Sequence, residues 1–518
     1  MPRASTVAAL WCALFALGAT AEVLLQPLEL FDFTHQTGAR GERWLPETMG
    51  SGVIVADLDS DGRLDLLFLD GQEWGGADPG SAARLFLGQE GMRFRETFSQ
   101  ILTGQYAFGG AAADFDADKN PDLIITTLEG AYYLRGHGDG HFDEGVLVAD
   151  GWCTSVALLD FDADGRLDAF VGRYVDWSPE KDLWCTLDGE HKSYCTPEVY
   201  AASNCIALHN LGDGRFEAWP QLKQDAKALG VVAADLDDDG WTDVIVASDT
   251  TPDLYYVNQS GRGFVEAGLR SGMALSSTGR ARGGMGVDVA DLIPGDGLDL
   301  AVGHFAGEAM GFYRNGGEFG FLDEAQRRGL DAPTRAELTF GLLALDLDLD
   351  GDVEVVTANG HIEPEIHLYR PGHRWKQRLG VYSHVDENSF AAIAGAPQTE
   401  WVGRGLAHGD FDGDGDADLI LTQNAGTPVV LENRSPWDRV IVLRGLTAGT
   451  TAWLQTDRRL QRDDLRVGNS YLSCSEAVLR FGLGADEHVV FLELIAPGNK
   501  RRRIEIVDDG RRVLEVTP

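Results

Sequence analysis

A short acidic pattern, D-x-D-x-D-G-x-x-D followed by an aliphatic residue, recurs along the chain, and such a repeat restricts the fold more than any single motif does. It reads DLDSDGRLDL from Asp57, DFDADKNPDL from Asp114, DFDADGRLDA from Asp160, DLDDDGWTDV from Asp235, DLDLDGDVEV from Asp346 and DFDGDGDADL from Asp410. A degenerate copy, DLIPGDGLDL, begins at Asp291, and successive starts lie 57, 46, 75, 56, 55 and 64 residues apart. Each copy separates two apolar runs, as Gly52 to Ala56 and Leu64 to Leu69 do around the first, so each is the turn of a hairpin. A further strand and turn follow in most units, for example Leu208 to Phe216, or Tyr255 to Asn258 leading into Gly263-Phe264. Seven units of about 55 residues with four short strands each predict an all-β chain, a seven-bladed β-propeller.

The same loops predict a metal. Side chains at loop positions 1, 3, 5 and 9, with a backbone carbonyl near 7, can surround one hard cation with oxygens, and glycine at 6 permits the sharp turn. The residues are Asp57, Asp59, Asp61 and Asp65; Asp114, Asp116, Asp118 and Asp122; Asp160, Asp162, Asp164 and Asp168; Asp235, Asp237, Asp239 and Asp243; Asp346, Asp348, Asp350 and Glu354; Asp410, Asp412, Asp414 and Asp418. Carboxylates about 4 Å apart repel by roughly 4 kcal/mol per pair at an effective dielectric near 20, and a bound dication removes that cost. Flexible all-oxygen loops suit calcium better than magnesium, which predicts about five to six Ca2+ per chain. A single such loop is an ordinary acidic turn, but six good copies argue against that reading. In the second copy Lys119-Asn120-Pro121 replaces the glycine turn; in the copy at Asp291, Ile293 and Gly295 stand at positions 3 and 5, which predicts a blade with little or no metal.

The loops also explain the charge. The chain carries 82 Asp and Glu against 43 Lys and Arg, a net −39, and 30 of the acids fall in the seven nine-residue windows. This balance argues against direct nucleic-acid binding. Residues 1–21 have the form of a signal peptide: Arg3, an apolar run from Val7 to Leu17, and Ala19-Thr20-Ala21 before the mature start at Glu22. No later run of roughly 18 uncharged apolar residues predicts a membrane span. The expectation is a secreted protein, extracellular or, in a bacterium, periplasmic or at the cell surface. In that compartment disulfides persist. Cys185 and Cys195 bracket a short polar loop and are the favoured pair, Cys153 and Cys205 are a second candidate pair, and Cys474 is left over. Spacings of the CxxC kind that would indicate a zinc site are absent.

Four further features carry a resemblance: Phe31 to His35 leading to Leu45–Gly52, the Cys185 to Cys195 loop after the third repeat, Asn359-Gly360-His361 after the sixth, and Arg466 to Ser473 followed by Phe481-Gly482-Leu483-Gly484. With the acidic repeats, which look like the FG-GAP and VCBS repeats of integrin-type propellers, this combination is similar to the cartilage acidic protein family with its C-terminal ASPIC/UnbV domain. Ile495 to Gly498 departs from that family's usual Trp-Pro-x-Gly, and Cys474 is unusual in it. The resemblance implies a secreted calcium-binding propeller with integrin-like loops and matrix or cell-surface roles in animal members.

Residues 22–49 are expected to close or cap the propeller, 50–433 to form it, and 434–518 to alternate as strands of a small β-sandwich. The basic run Lys500 to Arg503 fits either a solvated hairpin or a contact with the acidic loops or an acidic glycan. If the acidic loops crowd one rim, the opposite face carries the insertions: Asp70 to Ala83 with Trp74, Arg173 to Asn204 with Tyr174 and the cysteines, Ser248 to Asp253, Gly303 to Met310, and Asn359 to Gln398. That face is the expected recognition surface for an extracellular protein or glycan. Two alternatives stand beside this reading: an exported enzyme with a site at that mouth, for which His304, His361 and Glu337 with Arg282 and Arg404 are weak catalytic candidates, and a purely structural module. No GxSxG, HExxH, P-loop or GxGxxG context is present.

Overall fold

The computed structural model describes residues 23–75, 80–219, 222–295, 297–386, 388–506 and 510–517; the expected signal peptide lies outside them. Among the described residues, seven four-stranded antiparallel sheets follow one another before residue 434. Their first strands are Val53–Ala56, Ala107–Ala113, Cys153–Leu159, Ala228–Ala234, Gly284–Ala290, Thr339–Leu345 and Gly403–Gly409. Each first strand passes through its acidic turn into a second strand, Asp65–Leu69 being the first of these and Asp418–Gln423 the last. First strands touch one another in chain order, and the last packs on the first. Strands held between neighbouring sheets are covered on both faces, which is why Asp65–Leu69 and Asp122–Thr127 are buried throughout instead of alternating. The outer strands regain alternation, as in Arg93–Glu96.

The seventh sheet is completed from the other end of the chain. Leu25–Leu28 pairs antiparallel with Val430 to Asn433 as its outer strand. Phe31 and Phe33 then pack on Phe68 of the first sheet, with ring centroids 5.0 and 5.7 Å apart.

Beyond residue 434 a three-stranded sheet (Leu479–Leu483, Arg439–Leu443, Val513–Val516) and a four-stranded sheet (Leu460–Asp464, Thr451–Thr456, Val489–Ala496, Lys500–Ile504) share a core that includes Ile441, Leu454, Phe481 and Leu492. This unit has 14 Lys and Arg against 12 Asp and Glu, so the chain's negative charge belongs to the rest. It rests on the acidic-turn side: Arg462 donates to Asp238 Oδ1 at 2.6 Å and Asp235 O at 2.9 Å, and Trp437 Nε1 donates to Asp416 Oδ2 at 3.1 Å. Lys500–Ile504 is an exposed edge strand from which Lys500 Nζ reaches Ala163 O at 3.1 Å, so the basic run is solvated and one of its members also touches the third loop.

Between its strands the C-terminal unit sends residues 466–475 along the centre of the seven sheets, a path no local pattern announced. Leu158 N donates to Val467 O, Ser470 and Val287 exchange both backbone bonds, and Cys474 N and O pair with Val53 O and Val55 N, all at 2.8–3.1 Å. Leu342 N donates to Ser470 Oγ and Leu472 N to Ser155 Oγ, each at 3.0 Å. The first strands leave room through glycine: a Cβ on Gly52 would stand 1.8 Å from Leu472 O. Tyr471 and Leu472 are fully buried.

Cys185 and Cys195 form a disulfide with a Cα separation of 5.2 Å. The second candidate pair is corrected: Cys153 and Cys205 are both free and buried, as is Cys474. Cys153 lies opposite Arg173 on the second strand, and Cys205 precedes Ile206, which pairs with Val171 on that strand's other side. One whole strand therefore separates the two cysteines. Two inter-strand spacings of about 4.8 Å exceed the roughly 7 Å that a disulfide can bridge.

Candidate functional site

The acidic turns fold by hydrogen bonding to themselves. At position 1, Asp57 accepts the Asp61 and Gly62 N–H groups, and Asp114, Asp160, Asp235 and Asp410 do the same in their own loops. At position 9, one carboxylate oxygen accepts the position-2 N–H and the other reaches the third strand: Asp168 takes Phe161 N at 3.2 Å and Asn210 N at 2.8 Å. Asp418 repeats this with Phe411 and Asn433, and Asp299 takes the position-3 N–H of Ile293 together with Asn315 N. The degenerate turn at Asp291 thus keeps its scaffold although positions 3 and 5 lack carboxylates. Glu354, one methylene longer, does the same work with Leu347 N and Ser383 Oγ.

This leaves oxygens facing one another. Ligand atoms of Asp57, Asp59 and Asp61 lie within 4.8 Å of one another, as do those of Asp114, Asp116 and Asp122, of Asp160, Asp162 and Asp168, and of Asp235, Asp237 and Asp239. Buried oxygens of Asp59, Asp346 and Asp348 have no hydrogen-bond partner among the described residues. An orphaned buried carboxylate oxygen inside an all-oxygen cluster fits a hard cation. Arginines supply part of the counter-charge at position 5: Arg63 on Asp61, Arg166 on Asp164, and Arg135 at 2.8 Å from both Asp116 and Asp118 in the turn that lacks glycine. His209 Nε2 lies 3.2 Å from Asp162.

Burial pushes Asp168 and Asp418 up to about 8 and Asp65 to about 7, neighbouring loop carboxylates adding to the rise and backbone donors opposing it. Without metal these groups keep protons in the folded state that the unfolded chain releases near pH 4, so folding stability falls as pH rises from about 4 to 8. Glu476, held down to about 2 by Arg480 and Arg444 despite its burial, acts in the opposite sense below this window. The buried imidazoles of His35, His361 and His408, held down to about 3, oppose the fall up to about pH 6.5 but are outnumbered by the raised carboxyls. Metal-free protein is therefore expected to melt higher at pH 5.5 than at pH 8, and calcium-saturated protein in the reverse order, because protons then compete with the cation. A metal-free midpoint that rises with pH would contradict the assignment.

One class of residue escaped the sequence reading. Asn210 Nδ2 donates to Phe115 O, Asn258 to Phe161 O, Asn315 to Leu236 O and Asn433 to Leu347 O, at 2.7–2.9 Å. Each crosses from the third strand of one sheet to the position-2 carbonyl of the preceding sheet's acidic turn. His384 Nε2, 2.9 Å from Leu292 O, fills the same place in the sixth sheet. For Asn210, Asn258 and Asn315 an Asn just before a glycine turn was the available signal; Asn433, followed by Arg434-Ser435-Pro436, lacks it. Asn258→Ala strips the Phe161 and Thr242 carbonyls of a buried donor and is expected to cost about 2–3 kcal/mol in a denaturant titration.

The opposite side, where second strands end and first strands begin, is covered by the N-terminal segment and the insertions. Rings run in contact from Tyr106 to Trp74, Trp44, Trp177, Trp152 and Tyr174, with centroids 5.0–6.1 Å apart. Tyr174 is buried and donates to Asp249 Oδ2 at 2.8 Å; Trp74 is half-buried. Burial raises the Asp249 carboxyl to about 7. Tyr194 OH donates to Glu47 Oε2 at 3.1 Å, and Arg43 pairs with Glu363 at 2.6 Å, joining the covering segments.

Among the weak catalytic candidates, Arg282 and His304 meet at the Ala309 carbonyl, and Arg404 reaches the His361 carbonyl. His304 is buried, its Nδ1 2.9 Å from Ala309 O. His361 accepts from Glu363 N and stands beside His373, while Glu337 is half-buried near Glu400 and Arg374. Arg404 is fully buried, donating to Thr48, Gly360 and Gly403 carbonyls over the Phe340 ring; Arg282 donates to Tyr313 OH. Yet buried polar atoms without a partner among the described residues collect on this side: Glu47 Oε1, Trp74 Nε1, Trp152 Nε1, Asp249 Oδ1, Arg282 Nε and His304 Nε2.

Family models match two segments, the FG-GAP-like repeat at residues 114–171 and ASPIC and UnbV at 445–516. Cartilage acidic protein 1 of Xenopus tropicalis is 24% identical over 500 residues, covering 88% of this chain and 71% of the relative. The Homo sapiens protein of that name is 23% identical over 484 residues, covering 85% and 68%. Among solved structures, the BP39L lectin of Burkholderia pseudomallei superposes with a TM-score of 0.46 at 12% identity, covering 75% of this chain and 99% of the lectin. An Agrocybe aegerita lectin that recognises terminal N-acetylglucosamine gives 0.41 at 16% identity, covering 73% and 87%. The chain is thus similar over most of its length to cartilage acidic protein 1 and carries FG-GAP-like and ASPIC/UnbV segments. No helix among the described residues is long and apolar enough to cross a membrane.

Proposed function

We propose that the chain is a secreted, calcium-stabilised module that recognises an extracellular protein or glycan. The cyclic order of the seven sheets and the outer strand borrowed from Leu25–Leu28 support a seven-bladed propeller over residues 50–433, closed by residues 22–49 and followed by a β-sandwich over 434–518. Calcium would be held by the carboxylates at positions 1, 3, 5 and 9 of six turns, where it neutralises like charges and supplies no chemistry beyond cross-linking the loop.

The recognition surface is the face opposite those turns. The observation that carries this is the set of buried polar atoms on this side that have no partner among the described residues, Trp74 Nε1 in the ring cluster among them, since buried polar groups otherwise find partners and a ligand can supply them. Similarity to cartilage acidic protein 1 supports a ligand outside the cell.

The test is binding of the mature protein, in millimolar calcium, to arrays of extracellular-matrix proteins and of glycans, alongside Trp74→Ala and Asp249→Asn. At least one ligand is expected to lose tenfold or more in affinity in both variants while the melting point stays within a few degrees. Ligands retained at full affinity by both variants would overturn the face assignment.

A further inference from the structure

The outer face of the C-terminal four-stranded sheet forms a second, separate cleft. Register sets Trp453 opposite Arg462 on one side and Glu493 on the other, Gln455 opposite Phe491, and Ile495 opposite Arg501. Because side chains alternate along a strand, Ala452, Leu454, Leu492 and Leu494 point into the shared core, and Trp453, Phe491, Glu493 and Arg462 point away from it. Both rings are half-buried.

That face is walled on one side by the fourth acidic turn. Gly240 O accepts the Gly498 and Asn499 N–H groups at 3.0 Å, and Arg462, almost wholly buried, ties Asp238 to Asp464. The cleft between turn and sheet has a volume of about 390 Å³, bounded by Asp238, Trp453, Phe491, Arg462, Glu493 and Arg501. This lies in the lower part of the roughly 300–1,000 Å³ range of small-ligand sites.

Its chemistry narrows the occupant. Of the two flat rings, Phe491 carries Arg503 over its face, and Trp453 offers a surface for the C–H face of a ring-shaped ligand with planar charged groups round it. Arg462 lies 5.2 Å from the Trp453 ring centroid, and Arg503 4.0 Å from that of Phe491. Arg462 pairs with Asp238 and Asp464, and Arg501 lies 4.0 Å from Glu493, so the charges round the cleft are met within it and favour neither a free anion nor a free cation; the Asp235 carboxylate, also in the lining, is occupied by its own loop's N–H groups. Paired carboxylates and guanidinium groups suit vicinal hydroxyls, which both donate and accept. A peptide would seek an open strand edge, but the strands beneath the cleft, Thr451–Thr456 and Val489–Ala496, are paired on both sides.

We propose that this cleft binds a neutral sugar unit, its pyranose face stacked on Trp453 and its hydroxyls held by Asp238, Glu493 and Arg501. The site is independent of the face opposite the acidic turns. The experiment titrates the full mature chain, in millimolar calcium, with lactose, maltose, cellobiose and chitobiose, read by tryptophan fluorescence and calorimetry. A digalacturonate and a proline-rich decapeptide serve as comparisons.

At least one neutral disaccharide is expected to bind with a millimolar or tighter Kd, weakened tenfold or more by Trp453→Ala and by Glu493→Gln, and unchanged by Asp249→Asn on the other face. Glu493→Gln changes a half-exposed side chain, so it keeps the test decisive should Trp453→Ala fail to fold. The proposal is overturned if none of the four sugars binds, if only the digalacturonate or the peptide binds, or if sugar binding survives both cleft variants. Because Asp249→Asn reads the other face alone, failure of either proposal is distinguishable from failure of the other.

Discussion

Removing calcium from the mature protein is expected to lower its thermal midpoint by on the order of 10 °C or more, and elemental analysis of the untreated protein to return five to six calcium ions per chain. Each dication that binds only the folded loop adds roughly 2.7 kcal/mol when present at a hundred times its Kd, and six loops multiply that. The reason lies in the loop geometry. Backbone N–H groups already hold the position-1 and position-9 carboxylates in place, so the acids cannot separate when the cation leaves, and the repulsion stays in the folded state. Titration by differential scanning calorimetry with and without a chelator measures this. An unchanged midpoint and no bound calcium would reduce the six loops to turns, with Arg63, Arg135 and Arg166 among their counter-charges.

Deleting residues 434–518 is expected to leave the remaining seven sheets without a cooperative unfolding transition. The segment 466–475 satisfies backbone groups of Val53, Val55, Leu158, Val287 and Leu342, on first strands of four different sheets. A buried N–H or C=O stripped of its partner costs about 1–3 kcal/mol, and several would be stripped together. Tyr471 adds a ring packed edge-on to Phe340 at 4.9 Å and a hydroxyl donated to Met49 O. The milder variant Tyr471→Ala is expected to cost about 3–5 kcal/mol, in line with other large-to-small changes in a core. Circular dichroism and denaturant melts decide between this and independence of the two parts; a truncated chain that melts sharply at the full-length temperature would sink it.

Much of the fold was legible because its unit is local. Nine residues from Asp57 to Asp65 contain the turn, its glycine, and the carboxylates that staple the turn to itself, so the hairpin can be read without knowing where it sits. The Cys185–Cys195 bridge was legible for the same reason, both ends belonging to one loop. The Cys153–Cys205 pairing failed because composition does not reveal that a strand, Asp168–Arg173, runs between the two thiols. His304 and His361, candidates for a site at the mouth, are both buried, one beside a carbonyl and the other beside an amide, and that burial could not be read from their place in the sequence.

The acidic repeats, their spacing and their apolar flanks determined that this chain forms successive hairpins with clustered carboxylates, since hydrogen bonds within a turn and alternation along a strand act over a few residues. Only the tertiary structure decided that Arg466 to Ser475 fills the centre, that Asn258 and its counterparts latch one sheet to the turn before it, and that Trp453 faces a cleft walled by Asp238. These contacts join residues between about 80 and 420 positions apart, and their geometry depends on how whole sheets pack on one another. No short stretch of sequence encodes that.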